Sequence, residues 1–180
     1  LPLQPSLGNP DRTFTYDPAN RLATYNGSAV THDSAGRITA LSGATYSYND
    51  RDQITAITGS QTASYAYNGD GHRVTRSING QTTRFVIDAN RGLPEVLAET
   101  DSTGTVQRRY VHGYGLVEQI DSANAASYYH FDPTGNTLAL TNATGALSDS
   151  YAYTPYGETS ASGSTINPFR YSGKYGVMDD

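Results

Sequence analysis

The 180-residue chain has no cysteine, no tryptophan and a single methionine. Without thiols, disulfides and thiolate metal sites are excluded, and any stable fold must come from backbone pairing and packing. No apolar run approaches the roughly 20 residues that carry a helix across a bilayer, so no membrane span is expected. Leu1-Pro2-Leu3-Gln4-Pro5 also lacks the charged and apolar regions of a signal peptide. The 12 basic and 17 acidic residues, net −5, are scattered without runs. No basic stripe is available to hold a phosphate backbone, and nucleic-acid binding is not expected. The length allows one domain with a buried core, and a first residue of Leu rather than Met reads as a fragment or processed product.

What is present is tyrosine, threonine, serine, glycine and asparagine, a strand-and-turn composition, with 15 tyrosines and 18 glycines. A hydrophobic content of 36% is low for a dense core, yet the tyrosines argue against disorder, because each buries a large ring and carries a hydroxyl that needs a partner. Residues 1–12 hold Pro2, Pro5 and Pro10 and read as an extended lead-in; residues 13–180 read as one β domain.

Within that domain one unit recurs: an aromatic pair, an Asp- or Asn-led turn, then a branched aliphatic strand. Tyr16-Asp17, His32-Asp33 with Gly36-Arg37, Tyr46-Ser47-Tyr48-Asn49, Tyr65-Ala66-Tyr67-Asn68 with Gly71, Asp88, Asp132 with Gly135, and Tyr151-Ala152-Tyr153 with Gly157 carry it. The residues at the head of the turns, Asp17, Asp33, Asn49, Asn68, Asp88, His112, Asp132 and Thr154, stand 16 to 24 apart. About 20 residues is one two-strand unit of a stacked, solenoid-like sheet. Tight turns alternate with these, most clearly at Asn26-Gly27 and Asn79-Gly80, since a type I′ turn needs positive φ at both central residues. An Asp or Asn side chain accepts from backbone amides just downstream, and the following Arg reaches back to the carboxylate. Spaced by two, both rings of a pair share one face of a strand and predict a tyrosine ladder. The fold class is all-β.

Candidate chemistry is sparse. His32, His72, His112 and His130 hold a metal only if they converge with carboxylates; the first three, 40 apart, read instead as equivalent positions two repeats apart where His replaces Tyr or Arg. Asn68-Gly69-Asp70-Gly71 lacks the remaining ligands of a calcium loop. Adjacent Asp179 and Asp180 point to opposite sides of an extended chain and read as a solvated terminus. Ser64, Ser77, Ser127 and Ser150 have no nucleophile context. Asn26-Gly27-Ser28 and Asn142-Ala143-Thr144 match the glycosylation pattern but read as turns. No cofactor, metal or catalytic residue is expected; rows of Tyr, Asn and Asp leave glycan contact as a minor reading.

The Phe14-to-Leu22 and His32-to-Ile38 stretches resemble the YD repeats of the RHS family, and the resemblance covers residues 13–178. From about residue 128 onward, with Tyr151 to Glu158 and Asn167 to Tyr175, the chain is similar to the last part of an RHS core. The resemblance implies a long β-sheet spiralling into a hollow shell around a toxic polypeptide, as in bacterial polymorphic toxins, the cocoons of Tc toxins and the barrels of teneurins. The family's aspartate-dependent self-cleavage motif lies beyond the equivalent of Asp180, so no catalytic residue is carried over. The expected role is a non-catalytic wall segment of a secreted or cell-surface bacterial protein. Its partners would be neighbouring repeats at its sheet edges and an enclosed toxin. The alternative is a YD-repeat protein that assembles into an extracellular filament, tube or adhesive surface.

Overall fold

The structure, a computed structural model, describes residues 12–90, 92–154 and 157–179. The proline-containing lead-in apart from Arg12, and Asp180, lie outside the described residues. The first strands are β1 (Phe14–Tyr16), β2 (Leu22–Tyr25), β3 (Ser28–Ala29), β4 (Thr31–His32) and β5 (Ile38–Leu41). Next come β6 (Ala44–Tyr48), β7 (Ile54–Thr58), β8 (Ala63–Tyr67), β9 (Arg73–Ile78) and β10 (Gln81–Asp88). They are followed by β11 (Glu95–Thr100), β12 (Val106–Gly113), β13 (Gly115–Asp121), β14 (Ala126–Phe131), β15 (Thr137–Asn142), β16 (Leu147–Tyr153) and β17 (Thr159–Ser162). A single 3₁₀ turn, Gly173–Tyr175, is the helical element among the described residues.

The chain is all-β as its composition predicts. Strands β4 to β17 form one 14-stranded antiparallel sheet in strict chain order, not closed on itself, and β1 to β3 form a small separate sheet. Two compact units divide at Arg84 and Phe85, inside β10.

Strict chain order follows from how each strand is joined to the next. At Asp33 the backbone N–H donates to the Arg37 carbonyl (3.0 Å) and Gly36 N–H donates back to the Asp33 carbonyl (3.0 Å). Asp33 Oδ1 accepts from the N–H groups of Ala35 (2.9 Å) and Arg37 (3.0 Å). The residue three after the lead has positive φ, as at Gly36 (84°) and Asn20 (59°), which inserts one extra residue and shifts the register. This is a three-residue hairpin whose bulge favours Gly or Asn. The same pattern closes turns led by Asp17, Asn49, Asn68, Asp132 and Thr154.

Asp101, Asp121 and Asn142 build the same turn at the opposite ends of the later hairpins, where the alternation of turn types predicts tight turns. Tight turns do stand at that end of the earlier hairpins: Asn26-Gly27 (48°, 77°), Ser42-Gly43 (49°, 83°) and Asn79-Gly80 (49°, 84°) have the paired positive φ of type I′. His112 departs from expectation. It heads no Asp-type turn but pairs with Leu116, and Gly113 faces Gly115 across a hairpin tip made by Tyr114. Two glycines permit this sharper reversal.

The two units differ in depth. In the earlier one, Tyr46 and Tyr48 of β6 are half-buried and alternate with exposed Thr45 and Ser47, and β8 repeats the pattern with Tyr65 and Tyr67. Its only buried hydrophobic residue among those described is Val30, and that one is 9% exposed. In the later unit Tyr110, Leu116, Tyr129, Leu140, Tyr151 and Phe169 form a core, flanked by Val96, Phe131, Tyr153 and Met178.

Candidate functional site

The residues that repeat form a wall, and its construction differs from a simple ring-on-ring ladder. The second tyrosine of a pair uses its hydroxyl: Tyr48 donates to the Ile38 carbonyl (2.7 Å), Tyr67 to Ile54 (2.8 Å) and Tyr153 to Thr137 (2.6 Å). Each acceptor is the first residue after the preceding repeat's turn, so each of these three repeats clamps the one before it. Guanidinium groups cover the ring faces, with Arg37 over Tyr48 (4.9 Å) and Arg73 over Tyr65 (5.4 Å).

The turns also bond to one another. Arg37 Nε donates to Asp33 Oδ2 (2.7 Å), while its Nη1 reaches Asp52 Oδ1 (2.8 Å) in the next turn. Arg51 Nη1 donates to the Gly69 carbonyl (2.6 Å) and Gln53 Nε2 to that of Gly71 (2.8 Å). The Arg37 side-chain hydrogen bond holds the Asp33 carboxyl below the usual range. The turns thus form a hydrogen-bonded rim.

In the later unit an irregular segment, residues 163–179, lies across the tyrosine face as a cover. Phe169, with no exposed surface, meets the Tyr110 ring edge-on (4.9 Å, 88°). The cover is held by side chains of the wall reaching its backbone. Thr137 Oγ1 donates to the Phe169 carbonyl (2.7 Å), Thr137 N–H to Arg170 (2.9 Å) and Gln119 Nε2 to Ile166 (3.1 Å). In return Ser172 N–H donates to Asn136 Oδ1 (2.8 Å), Lys174 N–H to the Gly135 carbonyl (3.1 Å), and Thr165 binds Asp149 through its N–H and its hydroxyl. The Tyr129 hydroxyl lies 2.9 Å from both Gln119 Oε1 and Asn167 Oδ1 and shares its one proton between them. Among the described residues, Asn167 Nδ2 is buried without a hydrogen-bond partner.

Beneath the cover sits a buried charge pair. Glu99, 3% exposed, accepts from Arg108 Nη1 (2.6 Å) and from the Tyr110 hydroxyl (2.6 Å). Both carboxylate oxygens are therefore satisfied, which is the condition for tolerating a buried ion. Burial, reinforced by Glu99, raises the Tyr110 phenol far above its ordinary range, and burial raises Tyr129 likewise.

The residues singled out from sequence are distributed along the wall and not gathered at one point. Tyr16, Asp17, Asp33, Gly36, Arg37, Asn49, Asn68, Gly71, Asp132, Gly135 and Gly157 lie in or beside turns; Tyr46, Tyr48, Tyr65, Tyr67, Tyr151 and Tyr153 lie in strands. Asp88 Oδ1 accepts from Asn90 N–H (2.9 Å). His32 stands where other repeats carry Tyr, and His72 stands where they carry Arg, so the histidines are not equivalent positions. His72 N–H donates to Asn68 Oδ1 (2.9 Å), and His130 Nε2 meets Thr141 Oγ1 (2.9 Å). Among the described residues no three metal-ligating groups converge. Ser64 pairs with Ser77 across strands. Asp179 lies 3.8 Å from Arg170 and its N–H donates to the Pro168 carbonyl (2.7 Å), a docked position and not a solvated one. Glu99, Gln119, Asn167 and Phe169 were not anticipated: their relevance arises from contacts across the fold.

A chain-ordered sheet of tyrosine-faced hairpins with Asp-led turns defines a YD-repeat wall. The pattern of the teneurin YD-shell matches residues 6–176, and the chain belongs to that family. Among curated proteins it is similar to the tRNA nuclease WapA of Bacillus subtilis (strain 168) and the tRNA3(Ser)-specific nuclease WapA of Bacillus spizizenii. Identity is 29% and 28% over 116 residues, 62% of this chain. The chain spans 5% of the length of each. Among solved structures it resembles a chain of the TcdB2–TccC3 complex (TM-score 0.59, 18% identity) and one of the Photorhabdus luminescens Tc holotoxin pore (TM-score 0.60, 18% identity). Each match covers 90% of this chain, and 11% and 10% of those chains respectively. These likenesses concern the fold alone.

Proposed function

We propose that this chain is a non-catalytic wall segment of a secreted or cell-surface bacterial shell that encloses a polypeptide cargo until delivery. One observation carries the reading: residues 31–84 contribute hydrogen-bonded, tyrosine-faced strands to the large sheet without a hydrophobic core of their own, as a partition requires and a compact enzyme domain does not. The repeat-defining tyrosines and turn residues act here as wall-building parts. Negative-stain electron microscopy of the full-length protein carrying this chain tests the reading. Discrete hollow particles that protect an internal polypeptide from protease are expected; particles without a cavity, or cargo cleaved as fast as free peptide, would refute it.

A second reading is favoured by the sheet's ends. Strands β4 (Thr31–His32) and β17 (Thr159–Ser162) are the outermost of the 14, each paired on one side within that sheet. Unpaired edges template further strands. In this reading copies add edge to edge, and the same micrographs show fibres of regular repeat. Glycan contact along the tyrosine face is the third outcome, read by glycan-array binding.

A further inference from the structure

Lys174 is the only lysine in the chain, beside 11 arginines that make up the rest of the 12 basic residues. It sits in the 3₁₀ turn of the cover. There it borders a cavity of about 320 Å³ lined by Leu93, Glu95, His112, Tyr114 and Tyr175 among others. Its ammonium lies 5.2 Å from the Tyr114 ring centre and 5.9 Å from that of Tyr175, and among the described residues it has no carboxylate partner. The stem is fixed: a Cβ on Gly115 would fall 2.7 Å from Lys174 Cγ, so the glycine leaves room for the lysine to lie flat on the hairpin.

The imidazole in the cavity lining is already engaged. His112 Nε2 lies 2.9 Å from the Val96 carbonyl and Nδ1 lies 3.8 Å from Glu95 Oε1, with the imidazole 6% exposed. What the cavity offers a visitor is thus an apolar wall at Leu93, two phenol rings, and one pre-positioned ammonium whose N–H donors no described residue takes up. Preformed concave sites with few, fixed polar groups are the ones that bind small molecules. The Glu95 carboxylate repels an anion at its own end, so a negative group must lie at the Lys174 end.

We infer that this cavity binds a small monocarboxylate with an apolar body, its carboxylate on Lys174 and its body between Tyr114, Tyr175 and Leu93. Reductive ¹³C-methylation of the 180-residue chain keeps the charge and places one side-chain reporter on Lys174, to be followed by NMR during titration with phenylacetate and, as neutral isostere, phenylacetamide.

Phenylacetate is expected to shift the Lys174 signal with a Kd in roughly the millimolar range, and at least about ten-fold tighter than the amide. Calorimetric titration of Lys174→Met should show that preference lost and Lys174→Arg should show it kept, with both melting like the parent. Tyr114→Ala, at a hairpin tip 97% exposed, leaves the fold intact and should weaken binding several-fold. Equal affinity for acid and amide, binding unchanged in Lys174→Met, or no shift at roughly 20 mM ligand would overturn the inference.

Discussion

Replacing Phe169 with alanine tests whether the cover is what turns a single-layer wall into a stable unit. The side chain has no exposed surface and meets Tyr110 edge-on at 4.9 Å. Its transfer from water contributes about 1.5–3 kcal/mol. The aromatic pair adds about 0.5–1.5 kcal/mol, and the unfilled space raises the total cost to about 3–5 kcal/mol. Because irregular backbone holds the cover, the loss should appear first as local opening. Hydrogen exchange reads this at the Thr137 amide, which donates to the Arg170 carbonyl at 2.9 Å. A cost near 4 kcal/mol accelerates exchange at that amide by up to about 10³-fold, as far as global stability allows. The melting temperature of the later unit should fall by roughly 15–30 °C, scaled from 4–8 °C per kcal/mol. A cost below about 1 kcal/mol, or an unchanged Thr137 amide, would refute the reasoning.

Further expectations concern charge, backbone and pH. Glu99→Gln leaves Arg108 buried beside a neutral group and should cost about 3–5 kcal/mol in urea denaturation, whereas Glu99→Met combined with Arg108→Met and Tyr110→Phe, which leaves no buried polar group unpaired, should recover most of it. Gly145→Ala should cost about 1–2 kcal/mol for its φ of 79° alone, with open space around the new methyl; Gly135→Ala, at 92° and against the Tyr175 ring, should cost clearly more in the same assay. Burial raises the phenols of Tyr110, Tyr129, Tyr151 and Tyr153 above their ordinary value. The unfolded chain then releases protons first, so stability is full below about pH 10 and falls as pH climbs past it; melting curves from pH 8 to pH 11 should show the drop, less steeply in Tyr110→Phe.

The turns were legible because their physics is local. Asp33 closes its own loop with partners two, three and four residues away, and Asn26-Gly27 fixes its φ values by residue type alone. The same local code is present at Asp101, Asp121 and Asn142, each followed three residues on by Gly or Asn, yet the alternation of long and tight turns predicts tight turns there. His112 failed for the opposite reason, since the glycines at 113 and 115 permit a reversal that position in the repeat does not announce.

The cover was out of reach of any local reading. Its anchors join residues far apart in sequence, 32 positions from Thr137 to Phe169, 38 from Tyr129 to Asn167 and 47 from Gln119 to Ile166. Nor does a hydrophobic pattern mark it, because the wall holds the cover with hydroxyls and amides on backbone carbonyls as much as with apolar surface. A sheet faced with leucine would have needed a second apolar layer and would have closed into a sandwich. Tyrosine half-satisfies its face: the ring packs on the strand and the hydroxyl bonds the neighbouring repeat, as Tyr48 does with Ile38. That lets one region of the wall remain a single layer while another accepts an irregular segment of its own chain. The choice of tyrosine over leucine, repeated along the sheet, is therefore what lets a single-layer sheet of this kind be physically stable.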